Sequence, residues 1–262
     1  MKICFIGASH LTAMESAWPA MREQGADKSV VAGFLSSSFD ELVIADGVLG
    51  GSPQRRKVMH AAGRLAEVSL AEWDAFVIVG AFKFKDALEV YDGYRGESYT
   101  SVSAARGVVP QLVSDACFEL AMLGKMRAFR AYRFAQALRP ATVAPILLLP
   151  APLFRAGVLD YPRHRPRFAP LREGQDEIRL VAAWRRAMDI LAGTSFDVIQ
   201  QAPETLESPA LTRDVYSIGT AMPRAGTGRT APIYDTTHMT TAYGAIMMQR
   251  CLEWARSSML VG

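Results

Sequence analysis

A serine and a histidine follow the first apolar run of the chain. In KICFIGASHLTAM, residues Gly7, Ala8, Ser9 and His10 stand between a strand-like stretch and a helix-like one. A serine in that position has two uses. It can cap the helix, its hydroxyl accepting from backbone N–H groups, or it can be a nucleophile presented at a strand end. A nucleophilic serine needs a base, because its hydroxyl is almost wholly protonated at neutral pH. Of the dinucleotide fingerprint G-x-G-x-x-G only Gly7 is present, and no G-x-x-x-x-G-K-S/T occurs, so neither a dinucleotide site nor a P-loop is indicated.

A candidate base lies near the other end, in YDTTHMTTAYGAIMMQRCL, residues 234 to 252. Asp235 and His238 are separated by two residues and precede a helical pattern. Asp235 could cap that helix with His238 at the surface. Alternatively, His238 is a general base whose tautomer is fixed, and whose imidazolium is stabilised, by Asp235.

These turns need elements that bring them together. Strands are expected over KICFIGA, KSVVAGFLSSS, WDAFVIVGAF, ATVAPILLLPAP and FDVIQQAP. Helices are expected over LTAMESAWPAMREQ (interrupted or bent at Pro19), PQRRKVMHAAGRLAEV, Pro110 to Leu138, EIRLVAAWRRAMDILAG up to Gly193, and TAYGAIMMQRCLEWARSSM. ELVIADGVLGGSP ends in a Gly-rich turn, residues 91 to 108 read as a polar loop, and a Thr/Gly-rich loop runs to Tyr234. The alternation predicts an α/β fold, a parallel sheet covered by helices on both faces. Ligands in such folds sit outside the carboxyl ends of the strands. Ser9 occupies such an end.

The two ends together resemble the SGNH (GDSL-type) hydrolase family. There the nucleophile follows strand one in a GDS-like turn, and the acid and base lie in D-x-x-H before the last helix. The matching residues are Gly7-Ala8-Ser9 and Asp235-Thr-Thr-His238, with Ala8 where the family usually has Asp. The resemblance spans the chain and implies a three-layer α/β/α sandwich with a central parallel sheet over residues 1–262. A basic, Pro-rich insertion or lid is expected at about 151–176. It further implies an oxyanion hole. DGVLGGS, residues 46 to 52, looks like the family's N-x-G-I-S-G-x-T turn and matches Gly47 to a donating backbone N–H. A tight turn needing positive φ is the other use of that glycine. In DAFVIVGAFKF, Gly80 matches the third block, but Phe82 stands where a side-chain amide is expected. Backbone donors from Ser9 and Gly47 and the positive end of the first helix would remain. Loss of one oxyanion donor costs about 10²–10³ in rate. Lys83 and Lys85 are nearby replacements or simply solvated lysines.

The implied activity is a serine esterase or deacylase acting on an ester, acetyl among the options, of a small molecule or sugar. The same triad could run acyl transfer, and a weak or inactive relative would be a binding module. His10, Gly80, Phe82, Arg163 and Arg165 are candidates for lining the substrate pocket, although His10 also reads as a first-turn helix residue. Arg155, Arg163, Arg165 and Arg167 concentrate positive charge in FRAGVLDYPRHRPRFAPLREG, either a solvated loop or a lid favouring an anionic substrate. His60 reads as structural, and His164 belongs to the same basic loop. No cofactor or metal is expected.

Composition agrees with a folded enzyme-sized unit. The chain has 262 residues, half of them hydrophobic and about a fifth charged, with a formal charge of +3. That charge is too small to argue for nucleic acid, and aromatic interleaving of the kind that binds single strands is absent. There is no apolar run long enough for a membrane span, and the short N-terminal run reads as a strand rather than a signal peptide. Cys4, Cys117 and Cys251 are odd in number and widely spaced, so free thiols and a reducing cytoplasm are expected. Oligomeric state is not encoded in any pattern found.

Overall fold

A computed structural model describes residues 1–25, 29–61, 65–101, 109–162, 164–217 and 236–260. Five parallel strands form the central sheet: β1 (Lys2–Gly7), β2 (Val31–Ser36), β3 (Ala75–Val79), β4 (Ile146–Leu149) and β5 (Asp197–Val198). Their spatial order is β2-β1-β3-β4-β5. Eight helices are seen among the described residues: α1 (Leu11–Glu23), α2 (Pro53–Ala61), α3 (Phe84–Gly93), α4 (Asp115–Arg127), α5 (Arg130–Leu138), α6 (Arg165–Glu173), α7 (Glu177–Ala192) and α8 (Thr241–Leu260). The architecture is a three-layer α/β/α sandwich.

Strand alternation divides the core between the layers. Cys4, Ile6, Phe76, Ile78, Ile146 and Leu148 face one side, where they join buried residues of α3, α4, α5 and α7. Ile3, Phe5, Val77, Val79, Leu147 and Leu149 face the other, against Leu11, Met14 and Trp18 of α1 and Met247, Met248, Cys251 and Leu252 of α8. Burying each large apolar side chain contributes about 1.5–3 kcal/mol. Met239 belongs to this second cluster, so the methionines around the last helix fill the core.

Several local expectations change. The stretch from Pro110 to Leu138 is not one helix. Gln111–Val113 is a strand, Ser114 caps α4 by accepting from the Cys117 N–H at 3.3 Å, and the extended backbone of Phe129 separates α4 from α5. The polar loop begins later than expected, because α3 runs to Gly93. ADG is the turn of a β-hairpin. Leu42–Ala45 pairs antiparallel with Val48–Gly51, which pairs in turn with Glu67–Ser69, so Glu67 and Val68, expected at the end of the helix, are strand instead. Pro19 lies within α1.

The basic segment at 151–176 is built into the fold where it is described. Phe154, Val158, Phe168 and Leu171 belong to the same buried cluster as Phe76 and Ile78. The Arg167 guanidinium donates to Asp92 at 2.7 Å, with both side chains nearly buried. No helix among the described residues is long and apolar enough to cross a membrane.

Candidate functional site

The sheet register aligns four strand ends. Gly7 pairs with Ser36 on one side and Val79 on the other, and Val79 pairs with Leu149. The chain order reverses between β1 and β3, since β1 leads outward to β2 while β3 leads to β4 and β5. That reversal opens the crevice in which parallel α/β sheets bind ligands. Ser9 and His10 leave β1 there, and Gly80 leaves β3.

Gly7 is fixed by contact. A Cβ on it would lie 3.0 Å from the Val79 carbonyl oxygen and 3.1 Å from the Val79 Cβ. The turn then winds directly into α1, as the Leu11 N–H donates to Ala8 O at 3.1 Å and the Thr12 N–H to Ser9 O at 3.3 Å. The helix-capping position falls on His10, and no side chain caps it. The capping role considered for Ser9 is therefore not the one this turn uses. Ser9 and His10 are both half-buried.

His238 reaches the same place from the other end of the sequence. Its ring centroid lies 5.6 Å from that of His10, with 30° between the planes. Three hydrogen bonds pin the segment around it. Thr236 O accepts from the Arg155 N–H at 3.0 Å, His238 O accepts from the Ser217 hydroxyl at 3.0 Å, and the Thr240 N–H donates to Tyr216 O at 2.7 Å. At the start of α8, the Thr240 hydroxyl accepts from the Tyr243 N–H at 3.4 Å. Asp235 lies outside the described residues.

One glycine sets the spacing of the two helices. A Cβ on Gly244 would stand 2.1 Å from the Ala13 carbonyl oxygen and 2.3 Å from its carbon. The first turns of α1 and α8 therefore touch backbone to backbone, which holds Ser9, His10 and His238 together. Gly244 does not stand out as a site residue in the sequence. The signal was there in TAYGAIMM, a glycine inside a strong helical pattern.

The other expected site residues divide. Gly80 stands beside His10. It has φ +82°, and a Cβ on it would come within 3.4 Å of the His10 ring. Phe82 does not face this edge. It is fully buried, packed 5.6 Å from the Tyr132 ring, because the residues leaving β3 keep pairing with the end of β4 and turn its side chain into the core. Gly47 is also moved. With Asp46 it makes the two-residue hairpin turn, both at positive φ, and its carbonyl accepts from the Leu70 N–H at 2.8 Å. The opposite end of that hairpin is the one tied to the strand ends. The Ser52 N–H donates to Glu41 O, the Ser37 hydroxyl donates to Glu41, and the Ser37 N–H donates to Gly7 O. Roughly 13 Å of strand separates Gly47 from that end.

Arg165 is exposed on the first turn of α6, beside Asp160, Arg172 and Glu173 in a surface cavity whose lining does not include Ser9 or His238. Arg163 lies outside the described residues. Arg155 is nearly buried and folded onto its own loop, donating to the Tyr161 hydroxyl at 3.0 Å. The described arginines of this segment are thus anchors or surface charges rather than an open lid. Cys4 and Cys251 offer no competing nucleophile, because burial pushes both thiols up, Cys251 to about 12.

The fold and site define an α/β sandwich with a serine and two histidines at the switch point of its sheet. The chain matches no family model and no curated protein.

Proposed function

We propose that this chain is a serine ester hydrolase or deacylase of the SGNH type, with Ser9 as nucleophile and His238 as base. The observation that carries this reading is the 5.6 Å approach of the His238 ring to the His10 ring, beside Ser9, at the sheet's switch point. Ser9 Oγ attacks the ester carbonyl carbon while His238 takes its proton. The tetrahedral intermediate collapses, His238 returns the proton to the departing alkoxide, and an acyl-Ser9 ester remains. Water, deprotonated by His238, then attacks that ester and releases the acid and free Ser9. Asp235 takes the orienting role toward His238. The Ser9 N–H and the positive N-terminal ends of α1 and α8 favour the oxyanion. A small-molecule ester is the substrate class, and free cysteines suit a cytoplasmic setting.

A second reading, a weak or non-catalytic binding protein, is favoured by one set of bonds. The Gly80 and Ala81 N–H groups both donate to Leu149 O, and the Phe82 side chain is in the core, so none of them serves an oxyanion. Acyl transfer to an alcohol is a variant of the first reading and is separated by product analysis.

Hydrolysis of a short-chain aryl ester tests the assignment. Ser9→Ala and His238→Ala should each lower the rate by about 10⁴-fold or more. Ligand retention without turnover in the wild-type protein, or turnover that survives both substitutions, would overturn it.

A further inference from the structure

Residues 236–240 belong to no helix or strand, so the backbone that carries His238 has no ladder of its own to hold it. It leans instead on the 3₁₀ turn Asp214–Tyr216 and the residue that follows. The Ser217 hydroxyl donates to His238 O at 3.0 Å, and the Thr240 N–H donates to Tyr216 O at 2.7 Å. Ser217 is buried, and the Tyr216 ring stands edge-on to that of buried Tyr243 in the first turn of α8, 6.4 Å between centroids. The turn is anchored in its own right. The Arg213 N–H donates to Thr205 O and the Ser217 N–H to Asp214 O, both at 2.9 Å. Asp214 Oδ1 accepts from the Gly157 N–H at 2.8 Å, and two residues earlier the Arg155 N–H donates to Thr236 O at 3.0 Å. Residues 155–157 and 213–217 are therefore linked to each other, and each holds the segment around His238. Ser217 reaches His238 itself with a side chain.

We propose that Ser217 is a positioning residue for the base, its hydroxyl fixing the peptide of His238 and so the place of the imidazole beside Ser9. The proposal rests on the reading of Ser9 as nucleophile and His238 as base. Proton transfer between them needs hydrogen-bond reach, and a misplacement of about 1 Å can cost about 10² in rate. A bond to the peptide oxygen of the base restrains that displacement without touching the substrate. Its loss takes a donor from His238 O and lets the irregular segment shift against α1. The hydroxyl exchanges no proton with the reactants, and no covalent bond to Ser217 is made or broken.

Because substrate binding is not involved, the effect falls on kcat. Ser217→Ala should lower kcat for a short-chain aryl ester by about 10–100-fold with KM changed little. Ser217→Cys keeps the volume with a weak donor and should share that loss, whereas Ser217→Thr keeps the hydroxyl and should recover most of it. Rates are referred to the folded fraction measured by circular dichroism, and fluorophosphonate labelling of Ser9 should slow in parallel with kcat. A Ser217→Ala protein that melts earlier but keeps wild-type kcat per folded molecule would overturn the role. So would a loss confined to KM, or equal kcat in the Cys and Thr variants. His238→Ala separates the two levels of the argument. Turnover abolished by Ser9→Ala and His238→Ala but untouched by Ser217→Ala removes only the positioning role. Turnover that survives His238→Ala, or a wild type with no turnover, removes the hydrolase reading and the role of Ser217 with it.

Discussion

The polar groups around Asp176 and those around Ser9 are held on different terms. Asp176 is fully buried, and its carboxylate accepts from the Tyr91 hydroxyl at 2.9 Å, the Thr100 N–H and hydroxyl at 2.9 Å each, and the Ser101 N–H at 3.0 Å. Beside it Arg95 is also fully buried. Its Nε and Nη1 donate to the carbonyls of Ser101 and Tyr94 at 3.0 Å each, and its guanidinium lies 3.3 Å from the centre of the Tyr91 ring. Such a cluster is committed to the fold, since every group removed leaves a partner buried and unanswered. At the switch point, by contrast, Ser9, His10 and His238 are half-buried, and among the described residues the Ser9 hydroxyl enters no hydrogen bond. Full burial among its own hydrogen-bonding partners marks the first region as structural, and partial exposure beside two helix N-termini sets the second apart from it.

Substitutions should separate the two regions cleanly. The largest effect is expected from Ser9→Ala, which should abolish ester turnover, by about 10⁴-fold or more, while leaving the urea midpoint within error of wild type. Asp176→Asn should do the reverse. Stability measured by urea unfolding should fall by about 3–5 kcal/mol, with turnover per folded molecule preserved. Gly244→Ala crosses the boundary between the regions. Its new Cβ meets the Ala13 backbone, so α8 must move away from α1. A loss of about 1–3 kcal/mol should accompany a drop in activity, because the same shift carries His238 away from Ser9.

The smallest expected effect is electrostatic and outside both regions. Burial, and then Glu89, raise the Asp86 carboxyl above its ordinary range against the pull of Lys125, Lys83 and Lys85. The folded state therefore favours the protonated acid. The associated stability is present below the unfolded pKa of about 4 and is lost as pH rises through the raised folded value. Asp86→Asn should give a slightly higher melting temperature at pH 7 and no gain at pH 3. An identical shift at both pH values would show that Asp86 is not strained by burial.

Much of this was legible in the sequence, for a physical reason. The continuous apolar runs of β1, β3 and β4 can only be strands buried on both faces, which is why the sheet and the ends carrying Ser9 and Gly80 were readable. The hairpin is masked in the sequence by the later glycines of DGVLGGS, although Asp46-Gly47 between two apolar pairs is the usual two-residue turn. Placing Gly47 correctly follows from that turn, and with it goes its oxyanion role. Phe82 could not be placed from sequence, because whether a residue leaving a strand faces the core or the crevice depends on how long the pairing with β4 continues. The surroundings of His10 are hidden from the sequence for a similar reason. Its contacts are with Gly80 and His238, which are distant in sequence and meet only when α1 and α8 close on Gly244.

The most direct test of the central claim is the site of covalent modification by a fluorophosphonate. The wild-type protein should carry one adduct, mapped by peptide mass spectrometry to Ser9, and His238→Ala should react at least a hundredfold more slowly. No adduct on the folded wild type, or an adduct mapped to another residue, would contradict the account.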